Sequence, residues 1–450
     1  MLIRDAFSAK AVAAYHKNVS SNQQPYLGKA YFPADKKMGL DLKWIKTSKG
    51  LAVSLAPTTF DTKATIRSRS GFSIDNTEMA FFREQMQVSE RDEQEILRVK
   101  DSNDPYAADV IKRIYDDVQT LVAGADVVPE RMIWQLLAPE TGSPSISISA
   151  NGATYAYNYD PNGTFKANNF VKLLGLSMWN QTETADPLGD VRDAQDAIEA
   201  LTGVKPELLI VSKKTMGYLV QCAKIKSAIL AQNATANIFM TENRVKQLFL
   251  EELQVTIIVY SKMYKDESGN AHTFYPDDMA TLMPARPLGK TWYGTTPEER
   301  RLLADPTDDV AIVNTGVTIA VDVTKNPVNT NTTVSEIVLP SFEGMDEVYV
   351  LDVASTYDVT FALTPAAGTA AGAKITIDPA SAGTGNAYYY KIGATTPIYG
   401  TQLDATWTAY TSGDDIATAE VGNVVTIAHA DTANKLVNGV ASCTIAAVYS

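Results

Sequence analysis

The alternation of apolar and polar residues predicts extended hairpins over residues 40–97. Leu40, Leu42 and Trp44 alternate with polar residues before a Lys-Gly turn. The ribbon ends in the stretch FREQMQVSERDEQEIL, which is dense in charges of both signs and leaves little core. We therefore expect residues 46–97 to form an extended loop that needs a neighbour to cover it.

The N-terminal 45 residues differ from an ordinary domain start. They contain one short helical stretch, from Ser8 to Tyr15, followed by a polar segment that prolines interrupt. Their apolar surface is too small to pack on itself. We therefore expect residues 1–45 to form an arm that lies along another surface.

Apolar residues at helical spacing predict the longest helix, over residues 103–136. Asn103 or Asp104 can cap its start, and Pro129 should kink or end it before a second helical piece. The stretch SPSISISANGATYAYNYD follows, and its central Asn-Gly dipeptide between alternating residues predicts a β-hairpin. We expect residues 98–164 to form one unit around this helix.

Residues 165–283 combine helices and strands in the manner of a compact α/β unit. Helices are predicted from about 190 to 201, after Ser212 as far as Ile225, and after Thr241, with buried strands between them. The chain then returns to strands in the stretches VAIVNTGVTIAVDV and EIVLPSF.

The composition changes after residue 354. Residues 355–450 contain three Lys, no Arg and seven acidic residues, and they are rich in Ala, Thr, Gly and Tyr. Short strand patterns recur about every 8–15 residues between Gly, Asn and Asp turns. This spacing predicts a β-sandwich of immunoglobulin-like type. The chain as a whole is therefore predicted to be α+β, with an all-β domain added.

Composition and charge exclude several classes of protein. The chain has 450 residues, 45% of them hydrophobic, which allows two to four domains. A net charge of −13 disfavours binding to DNA or to an anionic membrane through bulk charge. The start MLIRDAFSAK lacks the apolar core of a signal peptide, and no run of about 18 apolar residues predicts a membrane span. Cys222 and Cys443 favour two buried thiols in a reduced cytosolic origin over a disulfide.

Motifs of common enzyme classes do not occur in the sequence. There is no GxSxG, HExxH or CxxC, and the three histidines lie far apart. The stretch LGKT at Leu288–Thr291 ends like a phosphate-binding loop, but Pro284 stands where the upstream glycine is needed. We expect a plain loop there, no catalytic residue and no cofactor.

The stretch VTIIVYSKMYKDESGNAHTFYPDDMATLMP, residues 255–284, places one His and several acidic residues close together. His272, Asp277 and Asp278 suggest a metal site, but a metal ion needs three or four converging ligands. Aspartates in a turn usually bind local backbone N–H groups. The turn DESGN also lacks the EF-hand spacing for calcium. We favour a polar hairpin over either metal site.

Arg67 and Arg69, in the stretch IRSRSG, lie on one face of a predicted strand. They could contact nucleic-acid phosphates, carboxylates of a neighbouring subunit, or solvent. The acidity of the chain favours the carboxylates of a neighbour, which the stretch SERDEQE could supply.

The order of these elements resembles the HK-97 capsid fold of tailed bacteriophages, and more narrowly the lambda-type major capsid protein E family. IRSRSG is similar to that family's extended-loop strand, DPYAADVIKRIYDDVQTLVAGAD to its spine helix, and LLIVSKKTMGYLVQCAKIKSAI to the strand and helix of its axial domain. The stretch VYSKMYKDESGNAHTFYPDDMATLMPARPLGKTWYG is the most specific of the four. The similarity covers about residues 5–354, and residues 355–450 lie outside the usual family pattern.

The resemblance implies a domain division and a function. The division is an N-terminal arm (1–45), an extended loop (46–97), a peripheral domain with the spine helix (98–164), an axial domain (165–283), return strands of the peripheral domain (284–354) and an immunoglobulin-like sandwich (355–450). The function implied is a major capsid protein that assembles itself into hexamers and pentamers of an icosahedral shell. The shell would enclose double-stranded DNA without sequence-specific contact.

The implied partners are further copies of the chain, a scaffolding protein and a portal protein, with a decoration protein left open. The implied location is the virion, after assembly in the cytoplasm of a bacterial host, with no membrane contact. We predict intersubunit contacts at Phe7, Tyr15, Tyr26, Tyr31, Arg67, Arg69, Phe72, Tyr264, Phe274 and Asp277. The alternative is a virion or cell-surface adhesion protein whose β-sandwich binds carbohydrate.

Overall fold

The computed structural model describes residues 8–10, 13, 25–39, 41–45, 74–91, 94, 106–150, 153–231, 239–304, 309–325, 328–393 and 396–449. Over these residues the chain is α+β, as predicted. The helices are α1 (Gly28–Tyr31), α2 (Tyr106–Leu137), α3 (Thr164–Asn168), α4 (Pro187–Thr202), α5 (Lys213–Gln221), α6 (Ala223–Ala231), α7 (Glu242–Leu253) and α8 (Pro297–Ala304). In this part of the chain, no helix is long and apolar enough to cross a membrane.

The spine helix, α2, is 32 residues long and continues through Pro129. Of the two predicted outcomes, a kink or an end at Pro129, the helix therefore does not end there. Proline removes the N–H group that would bond the carbonyl of Ala125. Pro129 and Glu130 are buried, and residues 132–137 form much of the largest core, so tertiary packing holds the helix across the lost bond.

A six-stranded sheet packs against the spine helix. Its order is β1-β13-β16-β15-β14, and β4 pairs with Thr330–Val338 of β16. Only the pair of β1 and β13 is parallel within this sheet. The strands are β1 (Ala34–Lys36), β4 (Ala80–Val88), β13 (Lys290–Tyr293), β14 (Val310–Val313), β15 (Val317–Lys325) and β16 (Val328–Ser341). Residues 80–88, at the end of the predicted extended loop, thus belong to this sheet.

A five-stranded sheet, ordered β7-β17-β12-β8-β9, forms the α/β unit. Its strands are β7 (Phe170–Lys172), β8 (Leu208–Val211), β9 (Thr256–Val259), β12 (Met279–Met283) and β17 (Tyr349–Asp352). Leu209 and Val211 face the core shared with α4, α5 and α7, while Ile210 faces the core of the spine helix. Both faces of β8 are buried, which suits its continuous apolar run. β17 lies between β7 and β12.

Local signals set the ends of the helices in this unit. The Ser212 hydroxyl accepts a hydrogen bond from the Thr215 N–H at 3.1 Å, so it caps α5 as predicted. Gly203 ends α4 with a left-handed φ of 73°. The helix expected to run through Ile225 is two helices, because Cys222 is extended and the next N–H, of Ala223, bonds the carbonyl of Thr182 at 2.7 Å.

Outside the C-terminal region, the described residues also form three two-stranded antiparallel sheets. They are β2 (Asp41–Ile45) with β3 (Ile74–Glu78), β5 (Ser145–Ala150) with β6 (Ala153–Asn158), and β10 (Met263–Lys265) with β11 (Ala271–Thr273). The second is the hairpin predicted from the Asn-Gly dipeptide. The described part of the arm packs on its own chain, since Ala9 is buried against Val122 of the spine helix.

Two antiparallel sheets form a sandwich at the C-terminus, as predicted. Their orders are β18-β19-β22 and β21-β20-β23-β24. In chain order this is an A-B-E sheet facing a C′-C-F-G sheet, the arrangement of immunoglobulin-like domains. The strands are β18 (Ala362–Ala367), β19 (Ala373–Asp378), β20 (Asn386–Ile392), β21 (Thr408–Tyr410), β22 (Asp415–Ile416), β23 (Val424–Asp431) and β24 (Val437–Thr444).

The sandwich is joined to the α/β unit by more than the connecting chain. Tyr399 is buried in the core that contains Leu173 and Trp179, and its carbonyl accepts a hydrogen bond from the Gly175 N–H at 2.9 Å. Lys172 pairs with Asp358 at 2.8 Å beside the ring of Tyr399. One tyrosine of the sandwich therefore completes the core of the neighbouring unit.

Both cysteines are free thiols. Cys222 is buried, as predicted, but Cys443 on β24 is only half-buried. The expectation of two buried thiols was therefore wrong for Cys443, whose side chain lies at the end of an outer strand pair. Partial burial raises the pKa of the Cys443 thiol.

Candidate functional site

The hairpin of β10 and β11 is the most exposed part of the stretch that the sequence singled out. Met263, Lys265 and all of β11 are exposed. Its turn is built on Asp266, whose carboxylate accepts hydrogen bonds from the N–H groups of Ser268 at 3.0 Å and Asn270 at 2.7 Å. His272 adds a third contact at 3.0 Å. These bonds, His272 first, lower the pKa of Asp266 to about 2.

The three residues considered as metal ligands have different surroundings. His272 binds Asp266, whereas Asp278 binds Lys214 at 2.6 Å and the Tyr218 hydroxyl at 3.0 Å. Asp277 is exposed to solvent. Among the residues that the structure describes, no group of three or more His, Cys, Asp or Glu side chains could hold a metal ion. The geometry is that of a hydrogen-bonded hairpin.

A chain of aromatic rings fixes the base of this hairpin. The ring centroids of Tyr264 and Phe274 are 4.8 Å apart, and Tyr26 meets Phe274 edge-on at 5.8 Å. Tyr260 stacks on Trp134 of the spine helix at 4.9 Å. Aromatic pairs in these geometries add stability beyond the area that they bury. The hairpin is thereby tied to the spine helix rather than to the helices of the five-stranded sheet.

The buried carboxylate of Glu130 joins three segments under the hairpin. Its Oε1 accepts hydrogen bonds from the Gly28 N–H at 2.9 Å, the Trp134 indole N–H at 2.7 Å and the Tyr260 hydroxyl at 2.7 Å. Burial, reinforced by the charge of Glu130, raises the pKa of Tyr260 well above its ordinary value. The end of the arm, the spine helix and the strand that leads to the hairpin therefore converge on one acidic side chain.

Two lysines flank Tyr26 at the same place. The Nζ of Lys262 lies 3.3 Å from the centre of the Tyr26 ring, and that of Lys29 lies 4.9 Å from it. Burial lowers the pKa of Lys262. Burial, with the negative charges of Asp126 and Glu130, raises the pKa of Tyr26 to about 12. The arm is thus held to the subunit by stacked cations as well as by Glu130.

An open groove of about 440 Å³ runs between the hairpin and the spine helix. Its lining includes Arg131, Gln135, Ser147, Tyr264, His272 and Asp277. Arg131 lies over the Tyr264 ring and pairs with Glu267 at 2.8 Å. The Gln135 side-chain amide pairs with both the N–H and the carbonyl of Ser147 on the outer edge of β5. The groove therefore presents polar side chains, while Gln135 occupies the main-chain groups of Ser147 on the strand edge.

The structure divides the predicted contact residues into three groups. Tyr26, Tyr264 and Asp277 lie around the hairpin and keep part of their surface exposed. Tyr31 and Phe274 are 7% and 5% exposed and belong to the core of their own subunit, and their contact with a neighbour stays a prediction. The remaining predicted residues, Phe7, Tyr15, Arg67, Arg69 and Phe72, lie outside the described residues.

The stretch LGKT is a packing feature. Leu288 is buried and Lys290 begins β13. A Cβ atom on Gly289 would lie 1.9 Å from the carbonyl oxygen of Ser341 on the neighbouring strand. The glycine is required by this close approach of two backbones, and the stretch forms no phosphate-binding loop.

Sequence reasoning missed Glu130 and Gly28. An acidic residue within a helix is ordinarily exposed, so the residue type alone gave no indication that Glu130 is buried. The signal that could have indicated burial is its position three residues before Ile133 and four before Trp134, on the apolar stripe of the helix.

An arm, a spine helix under a long-stranded sheet and an α/β unit are the elements that the resemblance to phage capsid proteins implied. The model of the phage major capsid protein E family matches residues 8–341. Because this match spans most of the sequence, the chain belongs to the phage major capsid protein E family. A second family model, for the C-terminal domain of the S-layer protein SbsC, matches residues 366–447. None of the curated protein sequences compared with the chain matches it.

Several solved structures are similar to the chain. A phage-related protein from Bordetella bronchiseptica RB50 is 16% identical, with 77% of this chain and 97% of that chain covered and a TM-score of 0.47. The putative capsid protein of a prophage of E. coli CFT073 is 12% identical, with 77% and 99% covered and a TM-score of 0.48. The capsid protein of cyanophage A-1(L) is 11% identical, with 74% and 92% covered and a TM-score of 0.42.

Membership of this family confirms the predicted function of a phage capsid protein. Such a protein is a structural component of the virion and assembles into a shell. The adhesion alternative is not favoured, because the family match includes the arm, the spine helix and both sheets.

Proposed function

We propose that copies of this chain form the hexamers and pentamers of an icosahedral phage head around double-stranded DNA. The observation that carries the proposal is the match to a major capsid family from the arm to the last residue of β16. A shell of this kind repeats heterologous contacts around closed symmetry axes. The arm and the extended loop, which have little core of their own, are suited to such contacts. The subunit has no catalytic role in this proposal.

We infer that the domains follow the division given by the family, with two changes at the sheets. The peripheral domain takes in residues 80–88 of the predicted extended loop, since β4 pairs with β16. The axial domain takes in residues 349–352, since β17 pairs with β7 and β12. The described residues on either side of the remaining extended loop pair with each other as β2 and β3.

Intersubunit contacts are proposed at the exposed hairpin and groove of one copy and the extended loop of the next. Asp277 and Glu140 are exposed carboxylates that line the groove. Arg67 and Arg69 of a neighbouring copy supply the complementary charge. Phe7, Tyr15 and Phe72 are proposed as apolar contacts of the arm and loop, and Tyr26 and Tyr264 as the part of the receiving surface nearest the hairpin.

The charge of the chain suits the inner wall of a DNA-filled head. Because a net charge of −13 repels phosphates, the wall does not hold the packed DNA by sequence-specific binding. Assembly in the cytoplasm of a bacterial host, with a separate scaffolding protein and a portal protein, completes the proposal. The C-terminal sandwich is proposed to project from the axial domain, where a decoration protein or a surface could bind it.

The direct test separates shells from free subunits by sedimentation after co-expression with a phage scaffolding protein. The wild-type chain should sediment as large particles of uniform size. The double variant Arg67→Glu, Arg69→Glu should stay as subunits, while the control Lys435→Glu on the sandwich should assemble. If both the wild-type chain and the double variant form shells, the proposed contact of the extended loop is wrong. If the wild-type chain never assembles, the proposed function is contradicted.

A further inference from the structure

Glu336 lies on β16 with its side chain buried beneath the spine helix. It is 1% exposed, and neither carboxyl oxygen has a hydrogen-bond partner among the described residues. Val334 is two residues earlier, on the same face of the strand, and it packs against Val122 and Ala125 of the spine helix. The carboxyl group therefore lies in the layer between the helix and the six-stranded sheet.

The groups around Glu336 do not provide a cation for it. Asp126 of the spine helix is the acidic group that acts on Glu336, and Lys29 of α1 is bound to Asp126 at 2.7 Å. Tyr293 of β13 is buried in the same layer. Burial, followed by the negative charge of Asp126, raises the pKa of Glu336 well above its usual value, and Lys29 opposes this only in part.

The charges on the other face of the sheet are paired with one another. The Ser335 hydroxyl donates to Glu298 of α8 at 2.7 Å, and Glu298 forms an ion pair with Arg83 of β4. Glu84 on β4 lies opposite Val334, on the helix side of the sheet, but it is exposed to solvent. The helix side of β16 therefore holds one acidic group whose charge no hydrogen bond or dedicated cation offsets.

We propose that Glu336 is a proton-dependent latch between the six-stranded sheet and the spine helix. With its proton, the carboxyl group fits the buried layer as observed. An ionised carboxylate without a partner is costly to bury, so loss of the proton loosens the helix from the sheet. This property belongs to the single subunit and holds whether or not shells form.

The direction of the pH dependence follows from the raised pKa. The folded state holds the proton more tightly than the unfolded chain, whose glutamates titrate near ~4.3. The stabilisation is complete below that value and is lost as the pH rises toward the higher folded pKa. Within this window the folding equilibrium constant falls up to tenfold for each pH unit.

The first test is thermal unfolding of the purified subunit from about pH 5 to about pH 9. The wild-type Tm should fall by about 1–2 °C for each pH unit within the window. Glu336→Gln, which keeps the shape and removes the titration, should abolish this fall. The control Glu84→Gln should retain it. A Glu336→Gln variant with the wild-type pH profile would overturn the proposal.

A second measurement uses the wild-type chain alone and decides the question if Glu336→Gln does not fold. Amide hydrogen exchange is followed in residues 119–130 of the spine helix, with β23 of the sandwich as an internal reference. After correction for the chemical exchange rate, protection of the helix should decrease relative to β23 as the pH rises. A constant ratio of the two protections would overturn the latch.

Discussion

Gly28 donates its main-chain N–H to the buried Oε1 of Glu130 across 2.9 Å. The bond closes the end of the arm onto the spine helix, 102 residues further along the chain. This bond therefore anchors the arm to its own subunit at Gly28.

Gly28→Ala tests this contact. A Cβ atom there would lie 2.6 Å from the Oε2 of Glu130 and 3.0 Å from Cγ2 of Ile133. We expect a loss of about 1–3 kcal/mol in the free energy of unfolding, as for other overpacked core positions. The control is Gly124→Ala in the spine helix, where an added Cβ atom would have no other atom within 4 Å. That change should stabilise the helix by roughly 0.5–1 kcal/mol. The free energies of unfolding are measured by chemical denaturation. Equal changes in the two variants would show that the close approach of Gly28 to Glu130 does not affect stability.

Tyr260→Phe should destabilise the subunit more than Tyr264→Phe. The first change removes a hydroxyl that donates to the buried Glu130 carboxylate at 2.7 Å. Hydrogen bonds to charged groups contribute about 1.5–3 kcal/mol. The Tyr264 hydroxyl has no hydrogen-bond partner within the described residues, so its loss should be nearly neutral. Denaturant titrations of the two variants give the comparison, and similar midpoints would contradict the role assigned to Glu130.

The hairpin turn should lose its order only in strong acid. The pKa of Asp266 is lowered to about 2 by hydrogen bonds from His272 and from the turn. A carboxyl group with a lowered folded pKa contributes stability above its usual pKa, and this contribution is lost as the pH falls through the folded value. The chemical shifts of the Ser268 and Asn270 amides should therefore change with a midpoint near 2. A midpoint close to 4, or an unchanged titration in Asp266→Asn, would contradict this.

Tyr399→Ala should weaken the axial domain although the residue belongs to the sandwich. The side chain is 8% exposed in the core with Leu173 and Trp179. Truncation of a buried aromatic side chain costs about 3–5 kcal/mol. The control Tyr449→Ala, at a residue 53% exposed, should change little. The readout is amide hydrogen exchange in α4 and β8 of the axial domain, and unchanged protection there would show that the sandwich does not stabilise this domain.

Much of the fold could be predicted because the local signals agreed with the tertiary structure. The hairpin around the Asn-Gly dipeptide, the cap at Ser212 and the glycine after α4 all form as their sequences indicate. The assignment of strands to sheets was harder. The sequence contains nothing that places Tyr349–Asp352 between β7 and β12, because strand order depends on contacts across the chain.

The candidate site was predicted only in part, for a similar reason. The polar turn and its aromatic neighbours stand out within one stretch, so Tyr264 and Asp277 could be named from sequence. Glu130 and Glu336 could not, because each is an acidic residue whose burial arises from segments remote in sequence. The burial of Tyr31 and Phe274 within the subunit could not be predicted either, since an aromatic residue in an extended segment gives no sign of which side is covered.

The central claim is that this chain builds a shell, and negative-stain electron microscopy of the purified protein tests it most directly. The chain is examined after expression with and without a co-expressed phage scaffolding protein. We expect closed shells or capsomer rings of uniform size with the scaffold. A monodisperse monomer under both conditions would contradict the account.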